Sequence, residues 1–158
     1  MSCGCGKDTG NCVIDVLREI DKVQSAVEDD DCCRTGCDQS INDVLGETDT
    51  RPRRKDTVPI ILYTKDGKPF KGFGARRLPN GTCDNIVASF IFRVKKIDNH
   101  DCAVLELLLK DMEKTGPNDL VDPTNQSCQN LRATGICITV DLHCFCHVTC
   151  LPAIRTRG

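Results

Sequence analysis

The stretch Cys137-Ile-Thr-Val-Asp-Leu-His-Cys-Phe-Cys-His-Val-Thr-Cys150 constrains the fold more than any other part of the chain. Read with period two, Ile136, Ile138, Val140, Leu142, Cys144, Cys146, Val148 and Cys150 share one face. Cys137, Thr139, Asp141, His143, Phe145, His147 and Thr149 share the other. One face is apolar and sulfurous and the other is mixed, the pattern of a long half-buried β-strand. The alternation predicts a strand that stays unbroken to Cys150. It also puts cysteines on both faces of a sheet, so the central question is what the sulfur does.

A chain of 158 residues is one domain, or one domain with a flexible end. It is long enough to bury a core without cross-links. Yet it holds 13 cysteines, about 8% of its residues and near the level of a disulfide scaffold. The count is odd, which points to an intermolecular bond or a free thiol. The opening Met-Ser-Cys-Gly-Cys-Gly-Lys-Asp lacks the basic and apolar regions of a secretory signal. No apolar run approaches a membrane span. The expectation is synthesis in a reducing cytosol, where stable disulfides are rare. The thiols then either bind metal or oxidise later. A net charge of −2 gives no reason to expect nucleic acid. Five Phe, one Tyr and no Trp argue against base-stacking surfaces.

Residues 1–10 read as a flexible Cys- and Gly-rich arm. Residues 11–46 read as a helical segment. Val13, Val16, Leu17, Ile20, Val23 and Val27 recur at three and four over 11–28, with Asn11 as N-cap. The run Glu28-Asp29-Asp30-Asp31 ends that helix, and Asp38 caps a shorter one that presents Ile41, Val44 and Leu45 and stops at Gly46. Residues 47–57 are polar and read as a charged linker. The β domain is 58–158. It holds a strand from Val58 to Thr64, an Asp66-Gly67 turn and a return strand from Lys68 to Gly74. A second hairpin, Ser89–Ile97 and Cys102–Lys110, turns at residues 98–101. A long loop near 112–134 precedes the last strand. The fold class is mainly β, a sandwich or barrel of about five to seven strands, with an α-helical N-terminal segment.

Zinc is the first chemistry to weigh, because of His143, Cys144, Cys146, His147 and Cys150. The chain has no Cys-x-x-Cys, the usual half-site. In an unbroken strand His143 and His147 stand roughly 13 Å apart, too far for one metal. Partly exposed strand histidines are the simpler reading. No feature singles out one thiol as a nucleophile, and His100 sits in a turn. The acidic run 28–31 lacks the spaced ligands of a calcium loop. Arg51, Arg53, Arg54 and Lys55 read as solubilising charges. Cys144 and Cys146, with Cα atoms about 6.5–7 Å apart, sit at or beyond the limit for bonding each other. With Cys102, they are expected to be buried small hydrophobes in the reduced protein. Cysteines on the arm and in the Cys32–Cys37 loop are placed to cross-link.

The C-terminal run Cys-Ile-Thr-Val-Asp-Leu-x-Cys-Phe-Cys-x-Val-x-Cys-Leu at 137–151 resembles the signature of the cysteine-rich spore surface proteins, the CotY, CotZ and ExsY group. Pro59–Phe70, Phe90–Asp98 with Asp101–Leu105, and Met1–Gly4 with Asn11–Val16 resemble the family's other segments in order. The resemblance implies a non-enzymatic structural protein of the outer coat, crust or exosporium base layer. It implies synthesis in the mother cell cytoplasm, no cofactor, and self-assembly through a ring, a hexamer, into a two-dimensional lattice hardened by disulfides. The partners implied are copies of itself and other spore coat proteins, with no nucleic acid and no membrane. On this reading Cys3, Cys5, Cys12, Cys32, Cys33 and Cys37 carry bonds between subunits. Cys83, Cys102, Cys128, Cys137, Cys144, Cys146 and Cys150 are further disulfide partners or buried thiols. A cysteine-rich zinc-binding module is the alternative, and a redox enzyme the third reading.

Overall fold

Helix α1 spans Cys12–Ser25 and begins where the sequence places its cap. The Asn11 side chain accepts from the Ile14 N–H at 3.1 Å, satisfying a donor the helix cannot. Val13, Ile14, Leu17, Ile20 and Val23 form its buried stripe, each contributing about 1.5–3 kcal/mol of burial. The computed structural model describes residues 11–25, 37, 40, 41, 44, 55–110 and 121–156. Cys37, Ser40, Ile41 and Val44 have helical backbone, with Ile41 and Val44 in the core. The Asp38 cap, the Gly46 stop, the arm 1–10 and the acidic run 28–31 lie outside the described residues.

The β region is two antiparallel sheets. Strands β1 (Ile60–Thr64), β4 (Phe92–Ile97), β5 (Cys102–Lys110), β6 (Leu131–Asp141) and β7 (Phe145–Cys150) form one sheet in the order β6-β5-β4-β1-β7. Strands β2 (Gly72–Gly74) and β3 (Val87–Ser89) form a small ribbon. β6 and β7 lie at opposite edges, yet only Leu142–Cys144 joins them. The sheet therefore curls so that its two edges approach at that end, without a β6–β7 ladder among the described residues. The mainly β class with an N-terminal helix is as the sequence predicts.

The inner face carries Ile60, Leu62, Phe92, Val94, Leu105, Leu107, Ile136 and Phe145, packed against α1. The ribbon crosses the same face. A Cβ on Gly72 would lie 2.7 Å from the Phe92 ring, and one on Gly74 would lie 2.3 Å from Ile136 Cγ2. Only glycine lets the backbone pass so close. Phe70 leads into the ribbon and packs between Phe92 and Phe145, with centroids 5.7 and 5.2 Å away. On the outer face Ile61, Ile91, Leu108 and Leu131 form a second, smaller cluster.

Buried polar groups are tied off. Ser89 Oγ donates to the Leu108 carbonyl at 2.7 Å and accepts from Ile91 N–H at 2.9 Å and Gln126 Nε2 at 2.7 Å. Gln126 Oε1 takes the Phe90 N–H at 2.9 Å. Glu106 meets Lys95 at 3.5 Å and Arg93 at 3.9 Å, and accepts the Gly135 N–H at 2.8 Å.

Several segments differ from the sequence reading. The strand predicted to run unbroken to Cys150 breaks at Leu142–Cys144 in a 3-10 turn. Asp141 is the cause: its carboxylate accepts the His143 N–H at 2.9 Å and offers the backbone an alternative to the ladder. The expected return strand 68–74 pairs with β1 only near Pro69 and then leaves to pair with β3. Ser89–Ile97 is two strands, since Phe90 and Ile91 turn the chain from the ribbon into the main sheet. β6 starts at Leu131, inside the loop expected to reach 134. The linker expected to run to 57 ends sooner. Thr57 is fully buried, and Asp56 and Thr57 both donate backbone N–H groups to the Ile154 carbonyl, at 2.9 and 3.0 Å.

Candidate cross-linking site

Sulfur in this protein divides into two populations. Cys37 bonds Cys150 within the chain, with Cα atoms 4.7 Å apart and 113 residues of separation. Cys150 is inward-facing at the end of β7, opposite Ile60. Ser40, one turn on from Cys37, donates its hydroxyl to the Leu151 carbonyl at 2.6 Å. The bond staples the second helical segment to the last strand. This corrects the expectation for Cys37, which was assigned to a bond between subunits. Two residues half-hidden at one packed junction find each other before they can reach another chain. Cys12 is also disulfide-bonded within the chain, which likewise corrects its assignment to a bond between subunits. Cys3, Cys5, Cys32 and Cys33 lie outside the described residues.

The second population is free. Cys83, Cys128, Cys137, Cys144 and Cys146 are exposed thiols and Cys102 is half-buried. Cys144 and Cys146 were expected to be buried, and the broken strand explains why they are not. The 3-10 turn spaces buried Leu142 and buried Phe145 three apart, which turns Cys144 outward. Then Tyr63 pairs with His147 and Thr64 with Phe145, leaving Cys146 as the extra residue of a bulge. Its Sγ donates to the Thr64 carbonyl at 3.2 Å from an exposed position. The bulge restores the original phase, so Val148 and Cys150 face inward as predicted. Phe145, assigned to the mixed face, is instead a core residue. Its size was the available signal: it is the one large aromatic in a polar run.

Two thiols sit in surroundings that favour the protonated form. Burial pushes Cys102 up, reinforced by the carboxylates of Asp98, Asp141 and Asp101. Burial also pushes Cys137 up, with Glu106 adding to the effect and Lys95 opposing it. Glu106 and Cys137 are cross-strand neighbours in the β5–β6 ladder.

His143 and His147 have partners within the chain. His143 sits between two carboxylates, with Nδ1 3.0 Å from Asp141 and Nε2 3.2 Å from Asp101. Asp101 also pairs with Arg18 of α1, which donates to the Asp98 carbonyl at 2.9 Å. The two turns and the helix are thereby tied together. His147 stacks on Tyr63 with centroids 4.3 Å apart. Among the described residues, no three His, Cys, Asp or Glu side chains are grouped to hold a metal ion. Among them, too, no helix is long and apolar enough to cross a membrane.

Comparison with known proteins accounts for nearly the whole chain. The family model described as spore coat protein Z matches residues 1–153. Spore coat protein Z of Bacillus subtilis (strain 168) is 36% identical over 156 residues, covering 94% of this chain and 95% of that protein. No solved structure matches the chain. A match this long, across the arm, the helix and every strand up to Ala153, means that the chain belongs to the spore coat protein Z family.

Proposed function

We propose that this protein is a structural component of the bacterial spore surface, not an enzyme, and that it assembles with itself into a two-dimensional lattice later reinforced by disulfides. Family membership supports the spore coat role. The observation that carries the cross-linking part is the outward placement of Cys83, Cys128, Cys137, Cys144 and Cys146 as free thiols on a fold whose core is closed by side chains other than theirs. A monomer has no use for so many solvent-facing thiols, whereas a sheet of many copies can join them once the compartment becomes oxidising.

On this reading the protein is made in the mother cell cytoplasm and folds reduced. It docks by shape and apolar contact into rings, hexamers on the family's pattern, and rings tile a plane through two-fold contacts. It also binds other coat proteins. Cys3, Cys5, Cys32 and Cys33 remain candidates for the bonds between subunits, joined now by the exposed thiols of the β domain.

Negative-stain electron microscopy of purified protein, with and without reductant, tests the reading. Ordered sheets or rings are expected in both conditions, with resistance to boiling detergent only after oxidation. Dispersed monomers in both conditions would refute it.

A further inference from the structure

Strand β6 is an edge, and the phase of its hydrogen bonds identifies its spare backbone groups. Leu142 N–H donates to the Asp101 carbonyl at 3.0 Å, and Cys102 stands opposite Asp141. Bonded pairs alternate along an antiparallel ladder. Ile138 and Val140 therefore aim their N–H and C=O groups at β5. Cys137, Thr139 and Asp141 aim theirs away from the sheet. Among the described residues, no strand follows β6 on that side in the main sheet. The nearby segment Gly74–Arg77 faces Thr134–Cys137 across a cleft of about 450 Å³, and β2 pairs with β3 instead.

Proteins usually blunt such an edge with lysine, proline or a short strand. β7, the other edge, is 6 residues long. β6 runs for 11 residues, and a bulge at Thr134–Ile136, with Gly135 at φ +77°, interrupts its first half, but the regular stretch from Cys137 to Val140 carries neither a charge nor a proline. Ile136, Ile138, Thr139 and Val140 are β-branched and suit pairing.

The edge is also self-complementary. A two-fold axis normal to the sheet keeps each face on its own side. Ile136, Ile138 and Val140 of one copy then meet the same apolar row of the other, and Cys137 and Thr139 meet their equivalents.

We propose that β6 pairs edge to edge with β6 of a second copy, antiparallel across a two-fold axis, making one continuous sheet from two. The role of this contact rests on the lattice reading, for which it supplies the two-fold that links one ring to the next. Its existence does not depend on that reading.

Two variants of the full chain test it, studied under reductant by sedimentation velocity and electron microscopy. Thr139→Pro removes an N–H that β5 does not use, and edge strands tolerate proline on their solvent side. Thr139→Lys adds a charge at an exposed position and keeps the test open if the proline variant folds poorly. Both should keep the far-ultraviolet circular dichroism of the wild type while its two-fold association weakens at least tenfold, leaving monomers or single rings in place of dimers or sheets. If the wild type forms sheets and both variants form them equally well, the β6 contact is wrong and the lattice reading survives. If the wild type forms dimers that the variants abolish but never sheets, the contact survives and the lattice reading falls. A wild type that stays monomeric overturns both.

Discussion

Replacing Cys37 with serine isolates the internal staple. The bond closes a loop of 113 residues, and constraining the unfolded chain over that span is worth about 4.8 kcal/mol at 25 °C in the loop-entropy model. That value is a ceiling, because the bond at Cys12 already restricts the same unfolded chain. The expected loss is about 3–5 kcal/mol, a large part of the stability of an ordinary domain. For a chain of this size it corresponds to a fall in Tm of roughly 6–20 °C. Serine fits the half-buried Cys37 position, while the Ser40 bond and the burial of Ile41 and Val44 remain. The loss should therefore appear in the unfolded state, as a higher urea m-value. Oxidised wild type and variant are compared by urea unfolding, and peptide mapping of the unreduced wild type checks the connectivity. A variant within 1 kcal/mol of wild type would refute the argument. So would covalent dimers that disappear with Cys37, since the bond would then run between chains.

Gly74→Ala sets a Cβ 2.3 Å from Ile136 Cγ2 and should cost about 1–3 kcal/mol of overpacking, read by thermal unfolding. Gln126→Ala strands the Phe90 N–H and removes a donor from Leu108 O; a loss of about 2–4 kcal/mol is expected from the buried groups left unpaired, with faster hydrogen exchange at Phe90. Burial works to raise Asp56, but the Thr57 hydroxyl, the Thr156 amide and hydroxyl, and nearby Arg93 outweigh it and hold the carboxyl below its ordinary value. Its contribution is therefore present above the unfolded value of 3.8 and is lost as pH falls through the lower folded value, so Asp56→Asn should lower Tm at pH 7 and converge with wild type in acid. Cys102 and Cys137, both pushed up, should alkylate slowly at pH 7 and speed up about tenfold per unit of rising pH, as mass spectrometry of a labelling time course would record.

The fold was legible wherever one pattern governed a whole element. Asn11 and the stripe from Val13 to Val23 gave α1 with its start. The alternations around residues 60–64 and 102–110 gave β1 and β5. The failures share a cause, which is that two local signals competed within a few residues. At 141–146 a perfect period-two pattern met an Asp that prefers to cap a turn, and the turn won because Phe145 could reach the core by that route. At 68–74 the turn predicted a returning strand. The two glycines marked something else, a backbone crossing close over Phe92 and Ile136, and only the third dimension shows that. The Cys37–Cys150 pair was illegible for a different reason: no spacing rule connects residues so far apart in sequence, and thirteen cysteines allow too many pairings. That Cys144 and Cys146 face solvent follows from the same turn.

The division of sulfur suggests an order of events. The main core is built from aliphatic and aromatic side chains, and Cys150 is the only fully inward cysteine among the described residues. A chain whose thiols are all reduced can thus reach this fold. Oxidation then meets two kinds of site. Cys37 and Cys150 are already held side by side, so their effective concentration far exceeds that of any thiol on another chain. Their bond should close first and by itself. On the proposed lattice reading, the exposed thiols meet partners only once copies are arrayed, so their cross-links follow assembly and copy its geometry. Disulfides formed in that order would reinforce such a lattice without choosing its contacts, and would leave the choice to surfaces such as the proposed β6 contact.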